Sequence, residues 1–140
     1  MQGARRVMSS GLVSMLKSKI HRATVTQADL HYEGSLTLDD NLLQAAGILP
    51  FEEIHVWNVT RGTRFRTYAM RAPSGSKVVC INGAAAHLAN VGDLIIVATY
   101  GWMPQADALN HIPTVVFVDP ENRMVSKRQE IPGPALPKPV

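Results

Sequence analysis

The sequence has few of the features that would indicate a secreted or membrane-bound protein. Its single cysteine, Cys80, cannot form an intramolecular disulfide, so the composition does not indicate an oxidising compartment. The densest apolar run, Leu94 to Tyr100, is shorter than the roughly 18 residues that a membrane-spanning helix needs. No apolar stretch of signal-peptide length follows Arg5 and Arg6. We therefore expect a cytoplasmic protein with no membrane partner.

Common metal-binding and catalytic motifs are also missing. The five histidines form no pair at metal-ligand spacing, and a single cysteine excludes a CxxC motif. Ser35 is not part of a G-x-S-x-G motif, because Glu33 occupies the position of the first glycine. Gly75-Ser76-Lys77 lacks the upstream glycine of a phosphate-binding loop. The sequence therefore predicts no metal site and no loop that binds nucleotide phosphates.

The net charge of +3 comes from the ends of the chain. Residues 15–120 carry eight basic and nine acidic side chains, so the patterned region is slightly acidic. Aromatic residues make up only 6% of the chain. A β-barrel that binds nucleic acid needs aromatic side chains interleaved with basic ones on its surface. We therefore expect no nucleic-acid partner.

Hydrophobic patterning divides the chain into three parts. Residues 1–14 show no periodicity and are expected to form a disordered extension, and the proline-rich end, 121–140, is expected to be a flexible tail. The folded region, 15–120, contains mostly short alternating segments typical of strands. The predicted strands cover 17–26, 54–60, 64–70, 77–82, 94–100 and 114–118. Short strands with few helices predict a small closed β-barrel.

Two short helical segments interrupt the strands. A helix is expected from Asp39 or Asp40, either of which could be its N-cap, and should end at Gly47. A helical turn is expected over residues 82–87. In the first strand, Lys17, Lys19 and His21 should share one face, since side chains alternate along a strand.

Four segments, in this order, resemble the pyruvoyl-dependent aspartate 1-decarboxylase family. They are KIHRATVTQADLHYEGS, WNVTRGTRFRTYA, INGAAAH and VGDLIIVA, and the similarity runs from about Met15 to Val118. The resemblance implies a small closed six-stranded double-psi β-barrel with short helices. It also implies a homotetramer with active sites between subunits. The implied reaction converts L-aspartate to β-alanine and CO₂ for pantothenate and coenzyme A biosynthesis.

The resemblance further implies a pyruvoyl cofactor, made from Ser35 by self-cleavage between Gly34 and Ser35, with neither metal nor pyridoxal phosphate. Removing CO₂ from an α-amino acid leaves electrons that need a conjugated electron sink, and no ordinary side chain offers a ketone. Because some family members depend on an accessory maturation activator, such a protein is an implied partner. Leu36 is larger than the residue that often follows this serine in the family, which bears on the cleavage rate.

The functional residues of the family match this sequence position by position. Thr67 matches the threonine that assists self-cleavage, and Tyr68 matches the residue that protonates the carbanion after CO₂ leaves. Arg64 matches the arginine that holds a substrate carboxylate, a task suited to a guanidinium fork. The other positions implied to bind substrate or to line the pocket, along with Thr67, are Lys19, His21, Tyr32, Trp57, Asn82, Gly83, Ala84 and Ala85.

Without the resemblance, the same residues have ordinary structural interpretations. Tyr68 and Trp57 would be core or interface aromatics, and Arg64 would be a solvated charge on a hairpin. The alternative function is a non-catalytic double-psi barrel that acts as a binding module. Adjacent strand residues point to opposite faces, so Thr67 and Tyr68 could share a site only at a strand end or between subunits.

Overall fold

The computed structural model describes residues 11–133, which fold mostly into β-strands. The predicted mostly-β class with short helices is thereby confirmed. The strands are β1 (Leu12–Thr24), β2 (Gln27–Asp29), β3 (Ser35–Asp39), β4 (Glu53–Asn58), β5 (Arg64–Ala72), β6 (Val79–Asn82), β7 (Leu94–Pro104), β8 (Thr114–Val118) and β9 (Met124–Arg128). The helices are α1 (Asp40–Ala46), a 3₁₀ helix (Gly83–His87) and α2 (Gln105–Ala108).

The strands pair in the order β2-β6-β3-β5-β4-β7-β1-β8-β9. The β2–β6, β3–β5 and β1–β8 pairs are parallel, and the remaining pairs are antiparallel. The described region therefore has nine strands where six were expected, and strand pairing leaves β2 and β9 at opposite ends of the order. A closed six-stranded barrel is not confirmed. The three unexpected strands, β2, β3 and β9, have only three to five residues, too few for a clear alternation signal.

Hydrogen bonds between Thr26 and Val79 connect distant parts of this strand order. The backbone N–H of Thr26, just after β1, donates to the carbonyl of Val79 in β6 at 2.8 Å. The N–H of Val79 donates in return to the Thr26 hydroxyl at 2.9 Å. The chain leaving β1 therefore runs beside β6, although the two strands are far apart in the pairing order.

One hydrophobic cluster lies between the strands. It contains fully buried side chains from β1, β3, β4, β6, β7 and β8, including Ile20, Leu36, Leu38, Ile54, Ile81, Val97 and Val116. Helix α1 contributes Leu42 and Leu43. Burial of apolar surface on this scale is the main stabilising contribution to such a domain, and it fixes which face of each strand points inward.

Strand β1 departs from the simple alternation expected for it. Its pairing with β7 shifts register between Leu16 and Ser18 and again between Ile20 and Ala23. Lys17 lies in the first irregularity and donates to Glu52, whereas Lys19 donates to Glu130. The predicted common face of Lys17, Lys19 and His21 rests on regular side-chain alternation, which these two irregularities interrupt.

Two strands extend beyond the expected limits of the folded region. β1 begins at Leu12, inside the predicted extension 1–14, and β9 lies inside the predicted tail 121–140. The residues of β9 are largely exposed, and antiparallel pairing with β8 holds this strand against the sheet. Most of the predicted extension, 1–10, and the end of the tail, 134–140, lie outside the described residues.

Within residues 11–133, no helix has both the length and the apolar character needed to cross a membrane. The cytoplasmic location stays a prediction.

Helix α1 has the capping expected from the sequence. Of the two candidate N-caps, Asp39 is the one used, and its side chain accepts the backbone N–H of Asn41 at 2.9 Å. Gly47 ends the helix with φ at 68°, the left-handed conformation that glycine adopts readily. The buried Asp39 carboxylate also accepts the backbone N–H groups of Gly75 at 3.0 Å and Lys77 at 2.8 Å.

We expect Asp39→Ala to lower the free energy of unfolding by about 3 kcal/mol or more. Loss of an N-cap costs roughly 0.5–2 kcal/mol, and each further buried N–H left without an acceptor costs about 1–3 kcal/mol. Asp40→Ala is the matched control, since its exposed carboxylate accepts only the Gln44 amide, and it should cost less than about 1 kcal/mol. Urea unfolding of both variants checks this, and equal losses would contradict the capping role.

Candidate active site

The Gly34–Ser35 peptide bond lies at the point where a loop enters β3. Ser35 is 4% exposed and lies opposite Asn82 in the antiparallel pair of β3 and β6. The Asn82 amide nitrogen is 3.4 Å from the Ser35 hydroxyl and 3.1 Å from that of Thr37. The serine is therefore held on a paired strand, where its hydroxyl has a hydrogen-bond donor beside it.

Gly83 packs directly on the backbone before Ser35. Its φ is +67°, and a Cβ atom there would lie 2.7 Å from the Gly34 Cα and 3.0 Å from the Tyr32 carbonyl oxygen. Real Cβ atoms do not approach backbone so closely, so only glycine fits without a shift of the Tyr32–Gly34 segment. This contact fixes the start of the 3₁₀ helix against the loop that carries the Gly34–Ser35 bond.

A cleft of about 320 Å³ opens beside Gly34. Six of the predicted site residues line it: Gly34, Thr67, Tyr68, Asn82, Ala84 and Ala85. It is also lined by three residues that the sequence analysis did not single out as site residues: Phe65, Arg66 and Leu88. Phe65 and Arg66 could have been recognised as neighbours of Thr67 and Tyr68, whereas Leu88 had no sequence signal.

Thr67 and Tyr68 both line this cleft although they are adjacent in β5. β3 pairs with β5 only from Ala69 onward, so residues 65–68 of β5 have no β3 partner on that side. The cleft follows this open edge, where side chains from both faces of β5 can contribute to its wall. The adjacency of the two residues therefore does not by itself require a second subunit.

Tyr68 is the more accessible of the two. It is 39% exposed, and its ring stacks against that of Phe51 with centroids 6.5 Å apart and an interplanar angle of 30°. Phe51 is held beside it because the Phe51 N–H donates to the Ala69 carbonyl at 2.7 Å. The stacked ring restricts the directions in which the Tyr68 hydroxyl can point.

Lys19 and His21 lie in another part of the chain. His21 lines a separate cleft of about 460 Å³ with Phe117 and Arg128, and the Lys19 ammonium is paired with Glu130. Burial, with further contributions from Lys19 and Arg22, lowers the pKa of His21 below its ordinary value. The imidazole is therefore neutral at neutral pH.

Arg64, Trp57 and Tyr32 also lie outside the cleft beside Gly34. Arg64 and Trp57 are paired in the β4–β5 hairpin, and the guanidinium carbon is 5.2 Å from the Trp57 ring centroid, a cation–π distance. Tyr32 is largely exposed and lines a third cleft, of about 440 Å³, which Asn82 also lines. Within one chain, five predicted site residues thus lie outside the cleft beside Gly34: Lys19, His21, Tyr32, Trp57 and Arg64.

The arrangement beside Gly34 combines a nucleophile, hydroxyl donors and small residues. Ser35 follows Gly34 in the chain but does not itself line the cleft, whereas Thr67 and Tyr68, which both carry hydroxyl groups, do line it. Ala84 and Ala85 leave room for a small ligand. Within residues 11–133, no group of three or more His, Cys, Asp or Glu side chains could hold a metal ion.

Comparison with known proteins identifies the chain's relatives. Residues 12–125 match the sequence profile of a family described as aspartate decarboxylase. The chain belongs to the aspartate decarboxylase family. The match covers β1 to the start of β9, and therefore the whole cleft beside Gly34.

Individual members of the aspartate decarboxylase family are similar over nearly their whole length. A protein named aspartate 1-decarboxylase from Myxococcus xanthus (strain DK1622) is 59% identical over 121 residues, covering 86% of this chain and 93% of the relative. One of the same name from Legionella pneumophila (strain Lens) is 58% identical, covering 83% and 87%. Another, from Phenylobacterium zucineum (strain HLK1), is 57% identical, covering 81% and 96%.

We expect Gly83→Ala to destabilise the protein more than a matched glycine substitution does. Gly62 also has a positive φ, +79°, but a Cβ there would meet nothing within 4 Å. Both alanine variants carry the left-handed backbone cost of about 1–2 kcal/mol, and Gly83→Ala adds an overpacking cost of about 1–3 kcal/mol. Urea unfolding checks the difference, and equal losses in the two variants would show that the Gly34 contact is not tight.

Proposed function

We propose that this chain is an aspartate 1-decarboxylase that converts L-aspartate to β-alanine and CO₂ after cutting its own backbone between Gly34 and Ser35. The observation that carries the proposal is the cleft lined by Gly34, Thr67 and Tyr68 in a member of the aspartate decarboxylase family. The product β-alanine would serve pantothenate and coenzyme A biosynthesis.

The residues beside Gly34 fit a pyruvoyl group at position 35. The group would be small, and the cleft beside it is lined by Ala84 and Ala85, with the Asn82 amide as a hydrogen-bond donor. When present, it supplies the ketone that acts as the electron sink for loss of CO₂. It would be covalent, and the proposal includes neither a metal nor pyridoxal phosphate.

Self-cleavage needs only atoms of the chain and one water. The Ser35 oxygen attacks the Gly34 carbonyl carbon, the C–N bond breaks, and the nitrogen takes the hydroxyl proton to leave an ester and a free amine. Loss of the Ser35 Cα proton then expels the Gly34 carboxylate and leaves dehydroalanine. Water adds to the tautomeric imine, and ammonia leaves. The space beside the Gly34 Cα leaves room for the backbone to move during attack, because a Cβ there would meet only the Asn82 backbone carbonyl oxygen, at 3.9 Å.

Thr67 and Tyr68 act in different reactions. Thr67 donates its hydroxyl to the oxyanion that forms at Gly34 during cleavage, a role that is supported by its position on the same cleft wall. Tyr68 delivers its phenol proton to the α-carbon after CO₂ leaves, which agrees with its partial exposure to the cleft and its ordered ring.

The remaining predicted substrate-binding residues act from a neighbouring subunit of a homotetramer. Arg64, Lys19 and His21 do not line the cleft beside Gly34, so they would reach the substrate from another subunit. Arg64 and Lys19 are cationic and would pair with a carboxylate of aspartate. Large exposed apolar side chains support association, among them Trp102 at 71% and Phe51 at 72% exposure. An accessory maturation activator would be a further, transient partner.

The double-psi barrel remains part of the proposal. It is supported by the hydrogen bonds between Thr26 and Val79, which connect the chain after β1 to β6, and by the hydrophobic cluster between the strands. The short strands β2 and β9, at the two ends of the pairing order, would then be additions to the barrel.

The separate roles of Thr67 and Tyr68 give the main test of the proposed function. Wild-type protein should separate under denaturing conditions into a 34-residue and a 106-residue piece, and Ser35→Ala should stay intact. Tyr68→Phe should cleave normally but lose about 10²- to 10⁴-fold in β-alanine formation. Thr67→Val keeps the branched shape and should cleave about 10²- to 10³-fold more slowly. Intact mass gives the cleavage, and an assay for β-alanine gives the turnover. An uncut Tyr68→Phe chain, or a normally cut Thr67→Val chain, would contradict the assigned roles.

Active sites that are shared between subunits predict that two inactive variants restore activity when they are co-expressed. In the proposed tetramer, each active site takes Lys19 from one subunit and Tyr68 from another. Lys19→Ala and Tyr68→Phe should therefore each be nearly inactive alone, because each substitution removes one of these two groups from every site. When the two chains are co-expressed, some sites combine the intact Lys19 of one chain with the intact Tyr68 of another. We therefore expect about a quarter of wild-type activity in such mixtures, following random assembly of symmetric oligomers. Activity no higher than that of the separate variants would contradict an intersubunit site.

A further inference from the structure

The β3 and β6 face that carries Ser35 is polar. Ser35 and Thr37 on β3 lie opposite Asn82 and Cys80 on β6, so the four side chains form two facing pairs. We call these four residues the polar ladder. The alternate residues of the same strands point into the core and are fully buried: Leu36, Leu38, Val79 and Ile81.

Both ends of the Asn82 amide have partners in the polar ladder. Its nitrogen donates to the Thr37 hydroxyl at 3.1 Å and lies 3.4 Å from the Ser35 hydroxyl. Its oxygen accepts from the Cys80 thiol at 3.1 Å. The amide is thus held in one of its two flip orientations, with the nitrogen toward Ser35.

The thiol is the group that selects between these orientations. A hydroxyl both donates and accepts, so Ser35 and Thr37 could hydrogen-bond to either end of the amide. A thiol donates but accepts only weakly, so it favours the orientation that turns the amide oxygen toward Cys80. Burial, with a smaller contribution from Asp29, raises the pKa of the Cys80 thiol. Cys80 therefore keeps its proton at neutral pH and remains a donor.

We propose that Cys80 is a positioning residue for self-cleavage, because its thiol orients the Asn82 amide so that the amide nitrogen donates to the Ser35 oxygen. In this orientation the Ser35 hydroxyl proton stays available to the peptide nitrogen that must receive it. In the flipped orientation, the amide oxygen would accept that proton in a hydrogen bond and hold it away from the peptide nitrogen. This inference rests on the self-cleavage of the proposed function.

Two substitutions at Cys80 test the inference. Cys80→Ala removes the donor, and we expect cleavage to slow about 5- to 10-fold, the effect of losing one neutral hydrogen bond. Cys80→Ser restores a donor and should cleave within about threefold of wild type, since a hydroxyl hydrogen bond is at least as strong. Freshly purified protein is incubated, and intact mass gives the cleaved fraction over time.

Controls separate positioning from general disturbance of the fold. Val78→Ala removes volume from the cleft that Cys80 and Asn82 also line but leaves the polar ladder intact, so it should cleave at the wild-type rate. Cys80→Ser is the second control, because it keeps a side chain of similar size in the polar ladder and restores the donor to the Asn82 oxygen.

The outcomes distinguish this inference from the proposed function. If wild type cleaves and Cys80→Ala cleaves equally fast, the positioning role is overturned and the proposed function stands. If Cys80→Ser is as slow as Cys80→Ala, the hydrogen-bond donor is not what position 80 contributes, and the inference is again overturned. A wild-type chain that never cleaves overturns both.

Discussion

The antiparallel pairing of β3 with β6 places Ser35 opposite Asn82 and carries Gly83 onto the backbone of Gly34. The other features of the site depend on this pairing. It sets the distance between the Ser35 hydroxyl and the Asn82 amide. It also positions the 3₁₀ helix that follows β6 directly, in which Ala84 and Ala85 line the cleft. A shift of one residue would turn every side chain of β3 to its other face, so the site exists in only one register.

The hydrophobic core holds that register in place. Leu36 and Leu38 alternate with Ser35 and Thr37, so burying the two leucines fixes the two polar residues on the opposite face. A register that exposed both leucines would lose roughly 1.5–3 kcal/mol of burial for each of them. The positional precision that cleavage chemistry needs is therefore supplied by ordinary core packing, and the polar ladder adds only the orientation of one amide.

Residue patterns predicted correctly those elements whose formation depends on neighbouring residues in the sequence. Helix α1, with its Asp39 and Gly47 caps, and strand β8 at Thr114–Val118 lie where the pattern predicted them. Strand β3 had too few residues for its pattern to stand out, and its partner β6 is more than 40 residues away along the chain. Strand pairing over that separation depends on the whole core, so residue patterns alone could not bring Gly34, Thr67 and Asn82 to one cleft. Their grouping was expected only from the family resemblance.

The distribution of cationic side chains bears on how the substrate would be held in the proposed reaction. In the cleft beside Gly34, Arg66 is the cationic side chain, whereas Lys19 is paired with Glu130 and Arg64 lies over Trp57. A substrate with two carboxylates needs more than one cationic partner to be held in a fixed orientation. Association of subunits would add such groups to the cleft without changing the fold of the chain that cleaves itself. Cleavage would then depend on contacts within one chain, namely the β3–β6 pairing and the Gly83 contact, and turnover on contacts between chains.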